Sequence, residues 1–289
     1  MSFPERLQAF LAAEDLPASF ADAVAAVYAP LAARVAETAR RHGPGFAVGL
    51  CGAQGSGKST LVAVLEMLLD EAGMRTTTLS LDDFYLPRPD RAALAETVHP
   101  LLATRGVPGT HEVALAIEVV DRLRAGEGAL SPRFDKAADT RASDWRELDG
   151  PTDVILFEGW CVGATSEPAS ALRTPLNALE RERDPEGVWR TYVNDQLAGP
   201  YQALFGRLDM LVLLQAPSFE VVLGWRIEQE HKLKARLARE GRDPARAMTD
   251  AEIATFIAHY ERITRRILAE MPARADMVVR LGEDRRPVG

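Results

Sequence analysis

Short apolar segments alternate along the chain with longer stretches whose apolar residues recur at helical spacing. Five of the short segments have the length and composition of buried strands, and they cover residues 46–51, 76–81, 153–158, 210–214 and 276–281. Strands that alternate with helices are typical of a parallel sheet, because each crossover returns the chain to the start of the next strand. The pattern therefore predicts a doubly wound α/β fold, with a five-stranded parallel sheet and helices on both faces.

Helical spacing predicts further elements before the first strand and between the second and third. Residues 3–41 read as two helices separated near Pro17, and Pro30 is expected to kink the second of them, because proline lacks a backbone N–H. The run Val113–Arg124 is also predicted as a helix, inside an otherwise polar and loop-rich region.

The C-terminal part of the chain begins a helix with a clear capping signal. Thr249 and Glu252 have the spacing of a capping box, in which each side chain bonds the backbone N–H of the other residue. We expect one helix to start there and to end before Pro272. Residues 282–289 are expected to be frayed, as chain termini often are.

The first strand leads into a glycine-rich loop, GAQGSGKST, and a helix-forming run follows it. Glycine at these spacings lets successive backbone N–H groups point inward around a polyphosphate, and the following helix adds its positive N-terminal end. This order of strand, loop and helix is the context that the phosphate-binding motif requires. We therefore predict that nine residues bind a nucleotide: Gly52, Ala53, Gln54, Gly55, Ser56, Gly57, Lys58, Ser59 and Thr60.

Two residues of this loop carry distinct chemistry. Lys58 can reach the β- and γ-phosphates of a nucleoside triphosphate, and it is predicted as a catalytic residue for that reason. The hydroxyl of Ser59 is expected to hold Mg²⁺.

Carboxylates follow the second and third strands, where each strand ends. In a doubly wound sheet the carboxyl ends of the strands open onto the ligand crevice, so we expect Asp82, Asp83 and Glu158 beside the phosphate loop. Asp82 is predicted to accept the proton of an acceptor hydroxyl, and Glu158 to hold Mg²⁺ together with Ser59. The alternatives are an aspartate pair that shapes a turn and a glutamate that only completes its strand.

Two later segments, RGVPGTHE and PRFDK, combine turn residues with isolated charges. Either they are ordinary surface loops, with His111 bonded within its own loop, or they form the pocket for an anionic acceptor. In the second interpretation the acceptor contacts six residues: Asp83, Tyr85, Arg105, His111, Arg133 and Lys136.

Arg226 lies on a helix that follows the fourth strand. An arginine on a closing lid can stabilise the charge that develops on a transferred phosphoryl group, and we predict this catalytic role for Arg226. The alternative is a solvated basic helix face.

Composition narrows the classes of partner. The net charge of −8 disfavours a general nucleic-acid binder or an anionic-membrane binder, since both need a basic surface. The two cysteines, Cys51 and Cys161, fall in or after apolar runs and are expected to be buried thiols in a reducing compartment. No leader-like segment or long apolar run occurs, so we expect a cytoplasmic protein whose partner is a small molecule, with neither nucleic acid nor membrane as partner. Composition leaves the oligomeric state open.

The segments GAQGSGKST, SLDDFYLPR, RGVPGTHE, PRFDK, VILFEGW and WRIEQEHKL together resemble the P-loop kinases that include uridine kinase, phosphoribulokinase and bacterial-type pantothenate kinase. The strongest resemblance is to plant-type D-glycerate 3-kinase and its bacterial relatives. It implies ATP, Mg²⁺, a strand order of 2-3-1-4-5, a helical lid, and Asp82 as the base. One feature departs from the glycerate kinases: AADTRASDW follows PRFDK where those enzymes have a glycine-rich loop with arginine and aspartate.

The resemblance also divides the chain. Residues 1–42 would form an N-terminal helical segment and residues 43–289 the kinase domain. Within that domain the acceptor-binding insertion would cover about 84–150 and the lid about 218–248.

The resulting hypothesis is an ATP-dependent kinase that phosphorylates D-glycerate to 3-phosphoglycerate. Two alternatives stay open at this point. One is a kinase for another acceptor, such as a nucleoside or pantothenate. The other is a regulatory protein that hydrolyses ATP slowly, although Asp82 at the acceptor edge favours a kinase.

Overall fold

A five-stranded parallel sheet forms the centre of the computed structural model, which describes residues 2–239, 241, 243 and 247–288. In chain order, the strands of the described residues are β1 (Phe46–Gly52), β2 (Thr76–Ser80), β3 (Ala129–Ser131), β4 (Phe134–Asp135), β5 (Thr140–Arg141), β6 (Arg146–Leu148), β7 (Val154–Gly159), β8 (Met210–Gln215) and β9 (Met277–Arg280). The large sheet has the order β2-β7-β1-β8-β9, and all its neighbours pair in parallel.

The five predicted strands are the five strands of this sheet, and among themselves they follow the expected order 2-3-1-4-5. The prediction differs in detail, because it omitted β3 to β6. These short strands form two separate antiparallel hairpins, β3 with β6 and β4 with β5, inside the region predicted as an insertion. Strands of two or three residues are too short to produce a recognisable apolar pattern.

Strand register aligns the carboxyl ends of the central strands. β1 lies in the middle of the sheet and all seven of its residues are buried, as expected for a parallel strand covered on both faces. Ser80 pairs with Glu158, and Cys51 pairs with Gly159. The ends of β2, β7 and β1 are therefore level, and the loops that follow them open onto the same edge of the sheet.

Helices cover both faces of the sheet. The α-helices are α1 (Phe3–Ala13), α2 (Phe20–Ala23), α3 (Ala29–His42), α4 (Lys58–Glu71), α5 (Arg88–Thr97), α6 (Val113–Arg124), α7 (Ala178–Arg183), α8 (Val188–Ala198), α9 (Pro200–Phe205), α10 (Phe219–Arg239), α11 (Asp250–Ala258) and α12 (Glu261–Glu270). Alternate residues of β1 enter two apolar clusters: Ala47 lies in the cluster with α6, α9, α11 and α12, and Val48 lies in the cluster with α1, α3 and α4. No helix within the described residues is both long enough and apolar enough to cross a bilayer.

The N-terminal helices pack on the same side of the sheet as α4. Leu7 of α1 and Leu31 of α3 share an apolar cluster with Leu61 of α4. A π-helical segment, Val24–Tyr28, lies immediately before α3, whose second residue is Pro30. The helix is thus irregular next to the proline that was expected to kink it, because proline cannot donate the next backbone hydrogen bond.

Two predictions for the C-terminal part were wrong. The capping box of Thr249 and Glu252 does start a helix, but that helix ends at Ala258 and α12 begins three residues later. The tail, predicted to be frayed, is hydrogen-bonded through residue 288. The Gly282 N–H donates to the Arg286 carbonyl, and the Trp225 indole N–H donates to the Glu283 carbonyl at 2.6 Å.

The predicted lid, residues 218–248, coincides over most of its described part with α10. Residues 240, 242 and 244–246 lie outside the described residues. The insertion, residues 84–150, contains the predicted helix α6 at its expected bounds together with α5 and the two hairpins.

Candidate active site

The phosphate loop lies between β1 and α4, as its sequence predicted. Gly57 has φ +88° and immediately precedes the first residue of α4, and Gly55 has φ +74°. A Cβ atom at Gly52 would lie 2.8 Å from the Ser56 Oγ, and one at Gly55 would lie 3.0 Å from the Trp225 Cβ. Gly55 and Gly57 therefore need the backbone freedom of glycine, and Gly52 and Gly55 lack the space for a side chain. The free N–H groups at the start of α4 face this loop, and they favour an anion bound there.

The polar side chains of the loop are arranged around the loop's own backbone. The Lys58 ammonium donates to the Ala53 carbonyl at 3.1 Å. The Gln54 Oε1 and Ser56 Oγ atoms are buried without a partner in the described part of the chain. Ser59, in the first turn of α4, is exposed, and Thr60 beside it is half-buried. The loop thus offers one cation, exposed hydroxyl oxygen and backbone N–H groups to a polyphosphate.

Asp82 follows β2 in a short 3₁₀ turn, Leu81–Phe84, and is the acceptor of two hydrogen bonds. The Lys136 ammonium donates to its Oδ2 at 2.8 Å, and the Tyr85 hydroxyl donates to its Oδ1 at 2.8 Å. Burial by itself raises the pKa of Asp82, but Lys136 and the two hydrogen bonds outweigh burial and hold the pKa below its usual range. Asp82 is therefore an ionised carboxylate at neutral pH.

Asp83 and Tyr85 connect this turn to the β4–β5 hairpin. The Asp83 carboxylate accepts a hydrogen bond from the Phe134 N–H at 3.2 Å, and burial raises its pKa above the usual range. The Tyr85 ring stacks on His111 at 4.4 Å and meets the Phe134 ring edge-on at 5.0 Å. These contacts bring the hairpin that carries Lys136 against the end of β2.

Glu158, at the end of β7, accepts a hydrogen bond from the Ser80 hydroxyl at 2.5 Å. Burial raises its pKa above the usual range, although the nearby Lys58 ammonium and the Ser80 hydrogen bond oppose this, and the charge of Asp82 adds to it. Glu158 is therefore close enough to both Lys58 and Asp82 for their charges to affect it. The three strand ends do bring their side chains together at one edge of the sheet.

His111 is buried beside the turn that carries Asp82, where its ring stacks on Tyr85. Its Nδ1 lies 2.5 Å from the Tyr201 hydroxyl, and its Nε2 is buried without a partner in the described residues. Burial lowers the pKa of the His111 imidazole to about 3, so the ring is neutral at physiological pH.

Arg105 is held by a carboxylate of the β4–β5 turn. Its guanidinium bonds the Asp139 side chain and lies over the Phe134 ring, 5.3 Å from the centroid. Asp139 also accepts from Arg91, whose Nη2 lies 2.9 Å from its Oδ2 and whose side chain is 1% exposed. Arg105 thus lies beside the hairpin with its charge already paired.

The structure does not bring the Arg133 side chain to the residues around Asp82 and His111. Its guanidinium donates to Asp144 at 2.6 Å, and both side chains are more than half exposed. Arg226 lies on α10 next to Trp225, the residue that contacts Gly55, and its guanidinium is 2.6 Å from the Glu230 carboxylate.

Several residues that support the site were not found from the sequence. Ser80 could have been found, because it stands at a strand end beside the predicted acid Asp82. Asp139 and Tyr201 gave no signal, since each acts through a contact with a residue far away in the sequence, Arg105 and His111 respectively. Trp225 lies in the segment WRIEQEHKL, but nothing in the sequence indicated its position beside Gly55.

Comparison of the whole chain with known proteins identifies the family to which it belongs. No family model matches the chain. The chain is 35% identical over 233 residues to uncharacterized kinase mug58 of Schizosaccharomyces pombe, covering 76% of this chain and 79% of that protein. It is 29% identical over 265 residues to the chloroplastic D-glycerate 3-kinase of Arabidopsis thaliana, which covers 85% of this chain but only 54% of the plant protein.

A solved structure agrees with the sequence relatives. D-glycerate 3-kinase from Cryptococcus neoformans var. grubii superposes with a TM-score of 0.76 at 26% identity, covering 91% of this chain and 98% of that chain. The relatives align over most of the chain, which has the parallel sheet and phosphate loop of a nucleotide-dependent kinase. The chain belongs to the P-loop kinases of the group that contains D-glycerate 3-kinase and uridine kinase-like enzymes, and it is an ATP-dependent phosphotransferase that acts on an alcohol group.

Proposed function

We propose that the chain transfers the γ-phosphoryl group of ATP to D-glycerate and releases ADP and 3-phosphoglycerate. The observation that carries the proposal is Asp82, an ionised carboxylate held by Lys136 and Tyr85 at the strand edge that also carries the phosphate loop. Two relatives with the name D-glycerate 3-kinase support the choice of acceptor.

Asp82 would serve the acceptor rather than the nucleotide. Its carboxylate would accept the proton of the acceptor hydroxyl as the hydroxyl oxygen bonds to the γ-phosphorus and the bond to the β,γ-bridging oxygen breaks. Because Lys136 and Tyr85 hold the two Asp82 oxygens, the carboxylate has a fixed orientation. Most of the barrier would be lowered by positioning and charge neutralisation, since phosphoryl transfer needs little covalent help from the protein.

Cationic groups would receive the negative charges of both substrates. The loop N–H groups and Lys58 would bind the polyphosphate, and Arg226 on α10 would approach it when α10 closes over the loop. Lys136 and Arg105 would attract the carboxylate of glycerate. The pairing of Arg105 with Asp139 supports a site in which the acceptor carboxylate competes with a carboxylate of the protein.

The oxygen donors at the strand edge fit Mg²⁺. Ser59 provides an exposed hydroxyl, and Glu158 provides a carboxylate whose raised pKa indicates that a cation beside it would be favourable. The described residues contain no group of three or more His, Cys, Asp or Glu side chains placed to hold a metal by themselves. This is consistent with Mg²⁺, which proteins commonly bind through one or two side chains together with substrate phosphates. When bound, the ion would neutralise charge on the phosphoryl oxygens.

An acceptor panel tests the proposal. Purified protein is incubated with Mg²⁺ and ATP, and ADP release is followed with D-glycerate, L-glycerate, glycerol, uridine or pantothenate as acceptor. D-glycerate should give the highest kcat/KM, and ³¹P NMR should identify 3-phosphoglycerate as the product. Glycerol has the hydroxyl but no carboxylate, so it should be a much poorer substrate if the cations recognise the acid.

Asp82→Asn provides the matching variant. It should lower kcat by roughly 10²- to 10⁴-fold, the usual range for a general base, while ATP binding is retained. Asp144→Asn is the control, because Asp144 is an exposed acid of the same insertion that pairs with Arg133. ADP release that no acceptor stimulates, or full turnover by Asp82→Asn, would contradict the proposal.

A further inference from the structure

The Tyr201 hydroxyl joins α9 to the segment RGVPGTHE through two contacts. It accepts a hydrogen bond from the Gly109 N–H at 3.0 Å and lies 2.5 Å from the His111 Nδ1. Tyr201 is fully buried, and His111 is 5% exposed. At this depth both groups need their hydrogen bonds from protein, since an unmade bond leaves a desolvated polar atom.

These contacts determine which nitrogen of His111 carries the proton. The Tyr201 oxygen already accepts from Gly109, and its single hydrogen has the His111 Nδ1 as its acceptor among the described residues. If Tyr201 donates to Nδ1, the ring proton is on Nε2, and one buried donor is left without a partner. If Nδ1 carried the proton instead, both the Tyr201 hydroxyl hydrogen and the Nε2 lone pair would be left without partners. The first arrangement has fewer unmade hydrogen bonds and is favoured.

The Nε2 atom belongs to a ring on the acceptor side of the site. It is buried and has no partner in the described part of the chain. The ring stacks on Tyr85 at 4.4 Å, and the Tyr85 hydroxyl bonds Asp82, the proposed base. This N–H therefore belongs to a ring that stacks on the tyrosine bonded to the proposed base, and the described residues offer it no acceptor.

We propose that Tyr201 is a positioning residue that fixes His111 as the Nε2–H tautomer, and that this N–H donates a hydrogen bond to a hydroxyl or carboxylate oxygen of the phosphoryl acceptor. The recognition step rests on the proposed function, whereas the tautomer does not. Tyr201 lies outside every motif of the sequence and acts on the site through His111.

The charge state of the ring supports this role. Burial lowers the pKa of His111 to about 3, against the opposing effect of Asp82, so the ring keeps a single N–H at neutral pH. A neutral donor leaves Asp82 paired with Lys136 and adds no second cation next to the base.

Nitrogen-15 NMR tests the tautomer without substrate. In the ligand-free protein, the His111 signals should show a protonated Nε2 and an unprotonated Nδ1, with His111→Gln used for assignment among the five histidines. Tyr201→Phe removes the hydroxyl and should shift the ring toward the Nδ1–H form. Tyr192→Phe is the control, because the Tyr192 ring also lies beside Gly109 but makes no hydrogen bond or ring contact with His111 among the described residues. A protonated Nδ1 in the unsubstituted protein would overturn the proposal.

Kinetics test the recognition step, with whichever acceptor the panel identifies. Tyr201→Phe and His111→Phe should raise the acceptor KM about tenfold or more, the loss expected for a buried hydrogen bond, and leave the KM for ATP within about threefold. His111→Gln can place an amide N–H near the position of Nε2 and should recover most of the acceptor affinity. An unchanged acceptor KM in both Tyr201→Phe and His111→Phe would overturn the recognition step. Failure of glycerate as a substrate would refute only the proposed function, because the NMR result does not depend on it.

Discussion

Asp139 lies in the turn of the β4–β5 hairpin, and its substitution tests how much its ion pairs contribute to stability. Its carboxylate pairs with Arg91 and Arg105, and Arg91 is 1% exposed. Asp139 has φ +53°, a conformation that asparagine also tolerates, so Asp139→Asn changes the charge and little else. The substitution leaves the buried Arg91 cation without its counter-charge.

The expected loss follows from the burial of the two arginines. Removing one partner of a fully buried ion pair destabilises a protein by about 3–5 kcal/mol. The cost here is smaller, since Asp139 is 36% exposed and Arg91 keeps its hydrogen bonds to the carbonyls of Leu86, Ala103 and Asp139. We therefore expect a loss of about 2 kcal/mol in the free energy of unfolding. The acceptor KM should also rise, because the same hairpin carries Lys136.

Asp144→Asn is the matched control, since it also removes an acid that pairs with an arginine of the insertion. Both partners of that pair are more than half exposed, so its loss should cost less than about 1 kcal/mol. Urea unfolding of the three proteins, followed by circular dichroism, measures the difference. Equal effects of the two substitutions would refute the assignment of Asp139 as the counter-charge of the buried Arg91.

Three further predictions concern the site. Lys136→Met removes the ammonium that opposes burial at Asp82, so the acid limb of the pH profile of kcat/KM should move to higher pH. Gly55→Ala places a Cβ atom 3.0 Å from Trp225 at φ +74° and should raise the KM for ATP about tenfold, measured by steady-state kinetics. His111 should make the protein less stable in acid by roughly 2–3 kcal/mol between pH 7 and 4.5, since its folded pKa of about 3 lies below the ordinary value of about 6.5, and the unfolded chain takes up the proton first.

Each of these predictions has a comparison that isolates its cause. Lys136→Arg keeps the charge and should leave the acid limb in place. Gly73→Ala has the same φ of +74°, but no atom of the described residues lies within 4 Å of its added Cβ, so it should lower stability without changing the KM for ATP. For His111, urea unfolding of His111→Gln at both pH values should show a smaller loss than the unsubstituted protein. Parallel losses in the two proteins would mean that His111 is not buried as a neutral ring.

The centre of the sheet could be predicted from sequence because β1, β7 and β8 are largely buried on both faces, whereas the edge strands β2 and β9 are only partly buried. A short apolar run with turn residues at each end has few other structures available to it, so the five strands were found from the pattern, whereas their order was implied by the family resemblance. The break between α11 and α12 was missed, since Ile257, Tyr260 and Ile263 are all buried and the apolar face continues across it. The tail was missed for another reason: its order comes from contacts of Glu283 and Arg285 with α10.

Topology also explains how much of the site could be predicted. Residues that follow neighbouring parallel strands lie close together because the backbone brings the strand ends to one edge of the sheet. Lys58, Asp82 and Glu158 were therefore expected together before any contact was known. Loop residues follow no such rule. Arg105 and Arg133 look alike in sequence, yet one stacks on Phe134 beside the site and the other pairs with an exposed acid. The choice between them is made by tertiary contacts that a single sequence does not encode locally.

The distribution of charge explains how an acidic protein with a net charge of −8 would bind the two anionic substrates of the proposed reaction. In the described residues, Lys136 is paired with Asp82 and Arg105 with Asp139, whereas Lys58 bonds only a carbonyl. The positive potential available to a nucleotide is therefore concentrated at Lys58 and the N-terminus of α4. In the proposed reaction, the acidic acceptor would meet cations that already have partners, so its affinity would depend on how well it replaces a carboxylate of the protein. This competition would favour a small acid that fits the hairpin over other anions, and selectivity would follow from pairing rather than from net charge.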